Sequence, residues 1–204
     1  MQSAPLFATL RQILMPETTQ SGFTELLNAQ QLDATLHRLA FQILERHPRR
    51  KLAFAGIRKR GAPLAKRIAR ILESYRKDIA MGEVDITFHR DDLHNLEAMM
   101  NMDRTRMEIP DLDERCVVLF DDVLFTGRTI RAAIDEVLDF GRPEKIELAV
   151  LVDRGHRELP IQADYIGLSH TTAPGEYVRV LLREMDGQDA VLLAGSTDSK
   201  RIEA

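Results

Sequence analysis

Three apolar runs, Leu52–Ile57, Cys116–Phe120 and Leu148–Val152, contain no charged residue. A strand with one face in water alternates polar with apolar residues, so a strand that is apolar at every position must be covered on both faces. Segments of helical period separate these runs. In 28–46 the residues Leu32, Leu36, Leu39, Ile43 and Leu44 recur at helical spacing. In 61–75 Leu64, Ile68, Ile71 and Leu72 share one face, with basic residues opposite. In 128–140 Ile130, Ile134, Val137 and Leu138 form the stripe, and Gly141 and Pro143 give the stop signal. Further strands are expected in 82–90, which alternates, and in 163–169, 176–185 and 189–195. Buried strands alternating with helices predict an α/β fold, with a mainly parallel central sheet flanked by helices.

The chain has 204 residues, 44% of them hydrophobic and 29% charged, which fits one folded domain and argues against disorder. That domain is expected over 28–196, between an extension at 1–27, with a short helix over 5–14, and a tail at 197–204. Residues 91–113 show no clean period and are rich in charge and methionine, as a long loop or mobile arm would be. The net charge of −4 gives no global attraction to nucleic acid. No stretch approaches the roughly 18 apolar residues of a membrane span, so no membrane partner is expected. The N-terminus lacks the basic region of a secretion signal. The lone Cys116 excludes an internal disulfide and suits a reducing compartment. A cytoplasmic protein is the default.

The chemistry concentrates in "LFDDVLFTGRT", residues 119–129. A buried strand ends in two carboxylates, Asp121 and Asp122, and a hydroxyl- and glycine-rich turn then opens a helix. Thr126, Gly127, Arg128 and Thr129 make an anion cradle, because unpaired helix N-terminal N–H groups point at whatever sits there. Like charge keeps the aspartates from binding phosphate. They suit sugar hydroxyls, a divalent cation or a developing positive charge. Together the stretch fits a sugar phosphate.

A second anion site is expected in "GIRKRG", residues 56–61, where Arg58, Lys59 and Arg60 precede a helix. Cations there oppose the helix dipole unless an anion is bound. A third loop follows the strand that ends at Asp153. It runs through Arg154 and Gly155 to Ile161 at the same sheet edge, placed to close over a base. His156, flanked by two arginines, reads as structural or surface.

These stretches, and "VDITFHRDDL" at 84–93, resemble the type I phosphoribosyltransferases. Within them, "LAVLVDRGHRELPI" followed by "ADYIG" is similar to the bifunctional pyrimidine-operon regulators with uracil phosphoribosyltransferase activity, the PyrR-type proteins. The resemblance covers about residues 28–195. It implies the type I phosphoribosyltransferase fold with a small hood, and transfer of phosphoribose from phosphoribosyl pyrophosphate to uracil, giving UMP and pyrophosphate. It implies Mg²⁺, held mainly by substrate and only indirectly by Asp121 and Asp122. It also implies a homodimer or higher homo-oligomer and an RNA leader as a further partner.

By the same resemblance Asp121, Asp122 and Arg60 are catalytic, and the 126–129 turn holds the 5-phosphate. Arg58, Lys59, Arg60 and Arg90 serve pyrophosphate, the loop of Arg58 and Lys59 carrying a cis peptide. Asp153, Arg154, Ile161 and Val178 serve the base. Purine-using relatives carry an acidic residue just before the Thr-Gly of the motif; here Phe125 stands there, which favours a pyrimidine. RNA-binding relatives place basic residues where this chain has Gln162 and Leu168; Arg157 is kept, and the following "SHTTAPGEY" contains no lysine or arginine. Lys59 in place of a small hydroxyl residue, the methionine-rich arm and the N-terminal extension are further departures.

Overall fold

The structure, a computed structural model, describes residues 23–86, 107 and 109–195. In chain order these form β1 (Phe23–Leu27), α1 (Ala29–Arg46), β2 (Leu52–Ile57), α2 (Gly61–Leu72), β3 (Ala80–Val84), β4 (Cys116–Leu124) and α3 (Arg128–Phe140). There follow β5 (Lys145–Asp153), β6 (Tyr165–Ser169), β7 (Tyr177–Leu181), a single helical turn α4 (Arg183–Asp186) and β8 (Ala190–Ala194). The backbone divides into two units, the larger being Gln31–Thr172.

In the larger unit five strands lie parallel in the order β3-β2-β4-β5-β6. The three apolar runs are its central strands. Successive side chains point to opposite faces of a strand, and both faces are occupied. Ala53, Ala55, Val117, Leu119, Leu148 and Val150 share a core with Ile130, Ala133 and Val137 of α3. Phe54 and Phe120 meet edge to face with ring centres 4.9 Å apart. Phe120 and Leu151 pack with Leu36 and Leu39 of α1 and Leu64 and Ile68 of α2. Each fully buried side chain of this size contributes about 1.5–3 kcal/mol, so a charge anywhere in these runs would be expensive. This is the α/β fold expected from the alternation.

The details shift in four places, one being the strand expected over 176–185, which ends at Leu181 and gives way to the α4 turn. The strand expected over 82–90 runs instead over Ala80–Val84, because its ladder with β2 ends where β2 ends, at Ile57↔Val84. Residues 91–106 and 108 of the expected arm lie outside the described residues, as do Arg90 and the helix expected over 5–14. The described end of the arm is core: Met107, Ile109 and Leu112 are buried beside α3. Leu138, assigned to the buried stripe of α3, is 48% exposed, and Ala133 takes part in the face instead.

The smaller unit is an antiparallel sheet of order β1-β8-β7. Phe23 pairs with Ala194 and Tyr177 pairs with the same residue from the other side. No strand is expected from the sequence at 23–27; its partner β8 lies far away along the chain, and local pattern does not reveal such pairing.

At the edge of the parallel sheet where the strands begin, Glu147 is 1% exposed. Lys145 Nζ at 2.5 Å, Tyr165 Oη at 2.7 Å and His47 Nε2 at 2.7 Å surround its carboxylate, and Arg46 stands 3.4 Å away. Burial alone would raise its pKa, but these donors outweigh burial and hold it at about 2, against an ordinary 4.5. The neighbouring Cys116 is fully buried, and burial pushes its thiol up to about 11. A depressed carboxylate contributes stability that is complete above its unfolded pKa and is lost as pH falls through the folded one. We therefore expect urea unfolding to show Glu147→Gln less stable than the natural chain at pH 7, by on the order of 3 kcal/mol. The gap should narrow steadily between about pH 4.5 and pH 2.

Candidate active site

The strand order reverses direction between β2 and β4: from β2 the chain proceeds to β3 on one side, from β4 to β5 and β6 on the other. Loops leaving two such strands diverge, and the crevice between them is where ligands bind in α/β sheets. Here register deepens the crevice. β2 pairs with β4 only as far as Gly56↔Phe120, whereas β4 continues along β5 to Leu124↔Asp153. The segment Asp121–Leu124 thus extends past the last β2 pair.

The chain leaving β2 packs closely beside this step. A Cβ on Gly61 would stand 2.1 Å from the Phe120 carbonyl oxygen, and one on Gly56 would stand 2.3 Å from Ala62 Cα. Only glycine allows the start of α2 to sit this close to β4. The Arg58–Lys59 peptide is cis, as the resemblance implies. Arg58 pairs with Glu83 at 3.4 Å and Asp85 at 3.5 Å, and Lys59 is exposed. Arg60 occupies the N-cap of α2, where its charge acts on Asp122.

Asp121 is 7% exposed and accepts the Asp122 backbone N–H at 2.9 Å. Burial, and then the Asp122 charge beside it, push its carboxyl well above the usual carboxylate range. Asp122 is raised by burial too, although Arg60 opposes the shift. The pair resists carrying two negative charges until something supplies donors or positive charge.

Beyond the pair the chain turns through Gly127, at φ 92°, into α3. The Thr126 hydroxyl accepts the Arg128 N–H at 3.3 Å. Thr129 is exposed, and Arg128 Nε donates to Glu158 at 2.8 Å. The sequence-predicted phosphate residues therefore form one turn at the helix start.

The loop after β5 is seated on that turn. The N–H groups of Glu158 and Leu159 both donate to Thr126 O, at 3.0 and 3.1 Å, and the Arg154 N–H donates to Leu124 O at 3.0 Å. Consecutive left-handed residues, Gly155 at φ 77° and His156 at φ 58°, reverse the chain. His156 Nε2 lies 2.7 Å from Thr172 O, consistent with a structural role. The Arg154 guanidinium lies 4.1 Å from the Phe125 ring centre, a cation–π contact. Asp153 accepts the Gly155 N–H at 3.0 Å and pairs with Arg157. Asp153 and Ile161 line an open cleft of about 620 Å³ with Arg157, Gln162, Ser169 and Thr171. Arg154 is not among that lining, and Val178 belongs to β7 of the smaller unit.

Among the described residues, His47, Cys116 and Glu147 also stand close enough to share an ion. They lie where the strands begin, and the Glu147 oxygens are already taken by Lys145, Tyr165 and His47. Sequence reasoning did not anticipate three participants at the C-terminal edge: Glu158 opposite Arg128, Phe125 as a platform for Arg154, and Arg157 as an internal donor. No periodicity or motif signals them, since Glu158 and Phe125 meet partners about 30 residues away and Arg157 reaches the Phe125 carbonyl as well as its own loop.

Residues 22–180, which include all three loops, match the family described as the phosphoribosyl transferase domain. The chain belongs to the phosphoribosyltransferase family. Its relatives include the bifunctional protein PyrR of Nostoc punctiforme, 51% identical over 84% of this chain and 96% of that protein. The bifunctional protein PyrR of Thermus aquaticus is 47% identical over 83% and 94%. The fold is shared with hypoxanthine phosphoribosyl transferase of Trypanosoma cruzi, with TM-score 0.68 and 15% identity over 93% of this chain and all of that one.

In this phosphoribosyltransferase the raised aspartates carry a stability consequence. A carboxyl whose folded pKa lies above its unfolded value favours the folded state while protonated, and that advantage is lost as pH rises above the unfolded value. At neutral pH the charged pair opposes folding. Asp121→Asn should therefore melt higher than the natural chain at pH 7, by about 2–4 °C for each kcal/mol relieved. At pH 3 the difference should vanish, and a melt that falls at pH 7 would contradict the electrostatic account. Gly61→Ala should do the reverse, lowering the melting temperature at every pH through its clash with Phe120 O.

Proposed function

We propose that the chain is a uracil phosphoribosyltransferase, forming UMP and pyrophosphate from uracil and phosphoribosyl pyrophosphate in pyrimidine salvage. Phe125 carries the choice of base. It occupies the position where purine-using relatives have an acidic residue, and its ring lies under Arg154. No carboxylate at that position is available to a purine ring nitrogen. A pyrimidine can be met by backbone groups of the 153–161 loop, together with Arg154.

In this reading the 126–129 turn holds the 5-phosphate through backbone N–H groups and the Thr126 and Thr129 hydroxyls. Asp121 and Asp122 accept hydrogen bonds from the ribose 2- and 3-hydroxyls, which relieves a buried pair that is otherwise short of donors. Lys59 and Arg60, with Arg90, offset the charge of departing pyrophosphate. Asp153 acts by shaping the base loop, since its carboxylate already accepts the Gly155 N–H and pairs with Arg157. As the C1–oxygen bond breaks, pyrophosphate keeps the electron pair; uracil N1 bonds to C1 and its proton passes to solvent. Positive charge growing on the ribosyl carbon is stabilised by the preorganised aspartates.

Two adjacent carboxylates that resist joint ionisation suit a hard divalent cation, and Mg²⁺ commonly takes one or two carboxylates with substrate phosphates and water. When bound with substrate, Mg²⁺ would supply charge neutralisation for hydroxyl and pyrophosphate oxygens.

An RNA partner is left out of the proposal. The relatives' basic face is reduced here to Arg157, and its guanidinium is hydrogen-bonded to backbone carbonyls within the chain. Offering the purified protein phosphoribosyl pyrophosphate, Mg²⁺ and each free base in turn tests the reading. We expect UMP from uracil and no turnover with hypoxanthine or orotate; turnover confined to either of those, or none at all, would sink it. UMP-dependent binding of a pyrimidine-operon leader at moderate salt would show that leaving out RNA is wrong.

A further inference from the structure

We infer that Arg157 is a positioning residue that clamps the base loop onto the phosphate turn, so that the affinity for the base depends on it. The inference rests on the phosphoribosyl-transfer reading above.

The donors of this one guanidinium are taken up within the chain. Nε donates to Ile161 O at 3.1 Å, and Nη1 donates to Phe125 O at 2.7 Å and Gly155 O at 3.0 Å, with Leu124 O at 3.5 Å. Nη2 pairs with the Asp153 carboxylate. An arginine side chain has five N–H donors in a rigid fork and no acceptor, and here they reach both ends of the base loop and the carbonyls just before the phosphate turn. Only 22% of the side chain is exposed. Such hydrogen bonds draw added strength from the charge of the donor.

The clamp is reinforced but not duplicated. Arg154 N–H donates to Leu124 O at the start of the loop, Glu158 and Leu159 donate to Thr126 O in its middle, and Arg128 pairs with Glu158, yet none of these links Gly155 to Ile161. Its ends, Gly155 and Ile161, meet the Phe125 carbonyl through Arg157 alone among the contacts described. Gly155 and His156 sit in left-handed backbone, a conformation a non-glycine residue such as His156 keeps only when its surroundings hold it there. Lysine cannot substitute: it offers a point charge with three donors, where the site uses a planar fork.

The decisive comparison is among the natural chain, Arg157→Lys and Arg157→Ala. Amide exchange is first followed in the ligand-free proteins by fragment-resolved mass spectrometry. Both variants should exchange about tenfold faster in the fragment covering 153–162, while fragments of β4 and β5 keep their protection. Steady-state kinetics should show KM for uracil rising about tenfold, with KM for phosphoribosyl pyrophosphate changed less than about threefold. Lysine should not rescue, whereas millimolar guanidinium should restore part of the Arg157→Ala affinity for uracil. Unchanged exchange in 153–162 would overturn the inference. So would exchange that rises equally across the sheet, a parallel change in both KM values, or full activity with lysine. If the natural chain converts no base, that failure belongs to the proposed function, and the exchange comparison alone decides the role of Arg157.

Discussion

The site depends on one difference in strand length. β4 pairs with β2 as far as Phe120 and with β5 as far as Leu124. Those four extra residues include both aspartates, and they end beside Asp153, so the 126–129 turn and the 153–161 loop leave the sheet side by side. The bonds from Arg154, Glu158, Leu159 and Arg157 to the carbonyls of Leu124, Phe125 and Thr126 follow from that adjacency. On the other flank, two glycines let α2 close on Phe120 O, and this brings Arg60 within electrostatic reach of Asp122. Three loops separated in sequence become neighbours because parallel strands start at one edge and finish at the other.

The same sheet holds buried carboxylates at both edges, with opposite outcomes. Glu147 is enclosed by lysine, tyrosine and histidine donors, and its acidity is strengthened to about 2 despite complete burial. Asp121 is as buried but accepts one backbone N–H, and its acidity is weakened. Burial acts on both in the same direction; the number of donors decides the sign. One edge is satisfied and adds stability. The other is left wanting donors, as perturbed carboxyls at ligand-binding clefts often are.

Much of this was legible along the chain. The central strands announce themselves because burial on two faces forbids charge at any position. "DDVLFTGRT" announces a tight turn into a helix beside two carboxylates, because a glycine flanked by hydroxyl residues follows a buried apolar run. Phe125 could be read as a missing carboxylate, and its second part, as the shelf beneath Arg154, could not. Arg157 was readable as a cation and by resemblance as part of an outward basic face. Its true surroundings are carbonyls contributed by residues up to 33 positions away, and no local pattern encodes those. Leu138 shows the converse error: helical spacing identifies a stripe, but which side chains the neighbouring sheet reaches depends on how the helix is rotated against it.

The sequence by itself determined the α/β class, the sheet's central strands, the turn that opens α3 and the family, because each rests on residue types at short spacing. The tertiary structure alone decided the step between β2 and β4, the β1–β8 pairing, the raised acidity threshold of Asp121 against the lowered one of Glu147, and the inward commitment of Arg157. Each of these is a matter of register or of donor count at a point in space. Both quantities are set by residues distant along the chain, so they come into being only when the strands have paired.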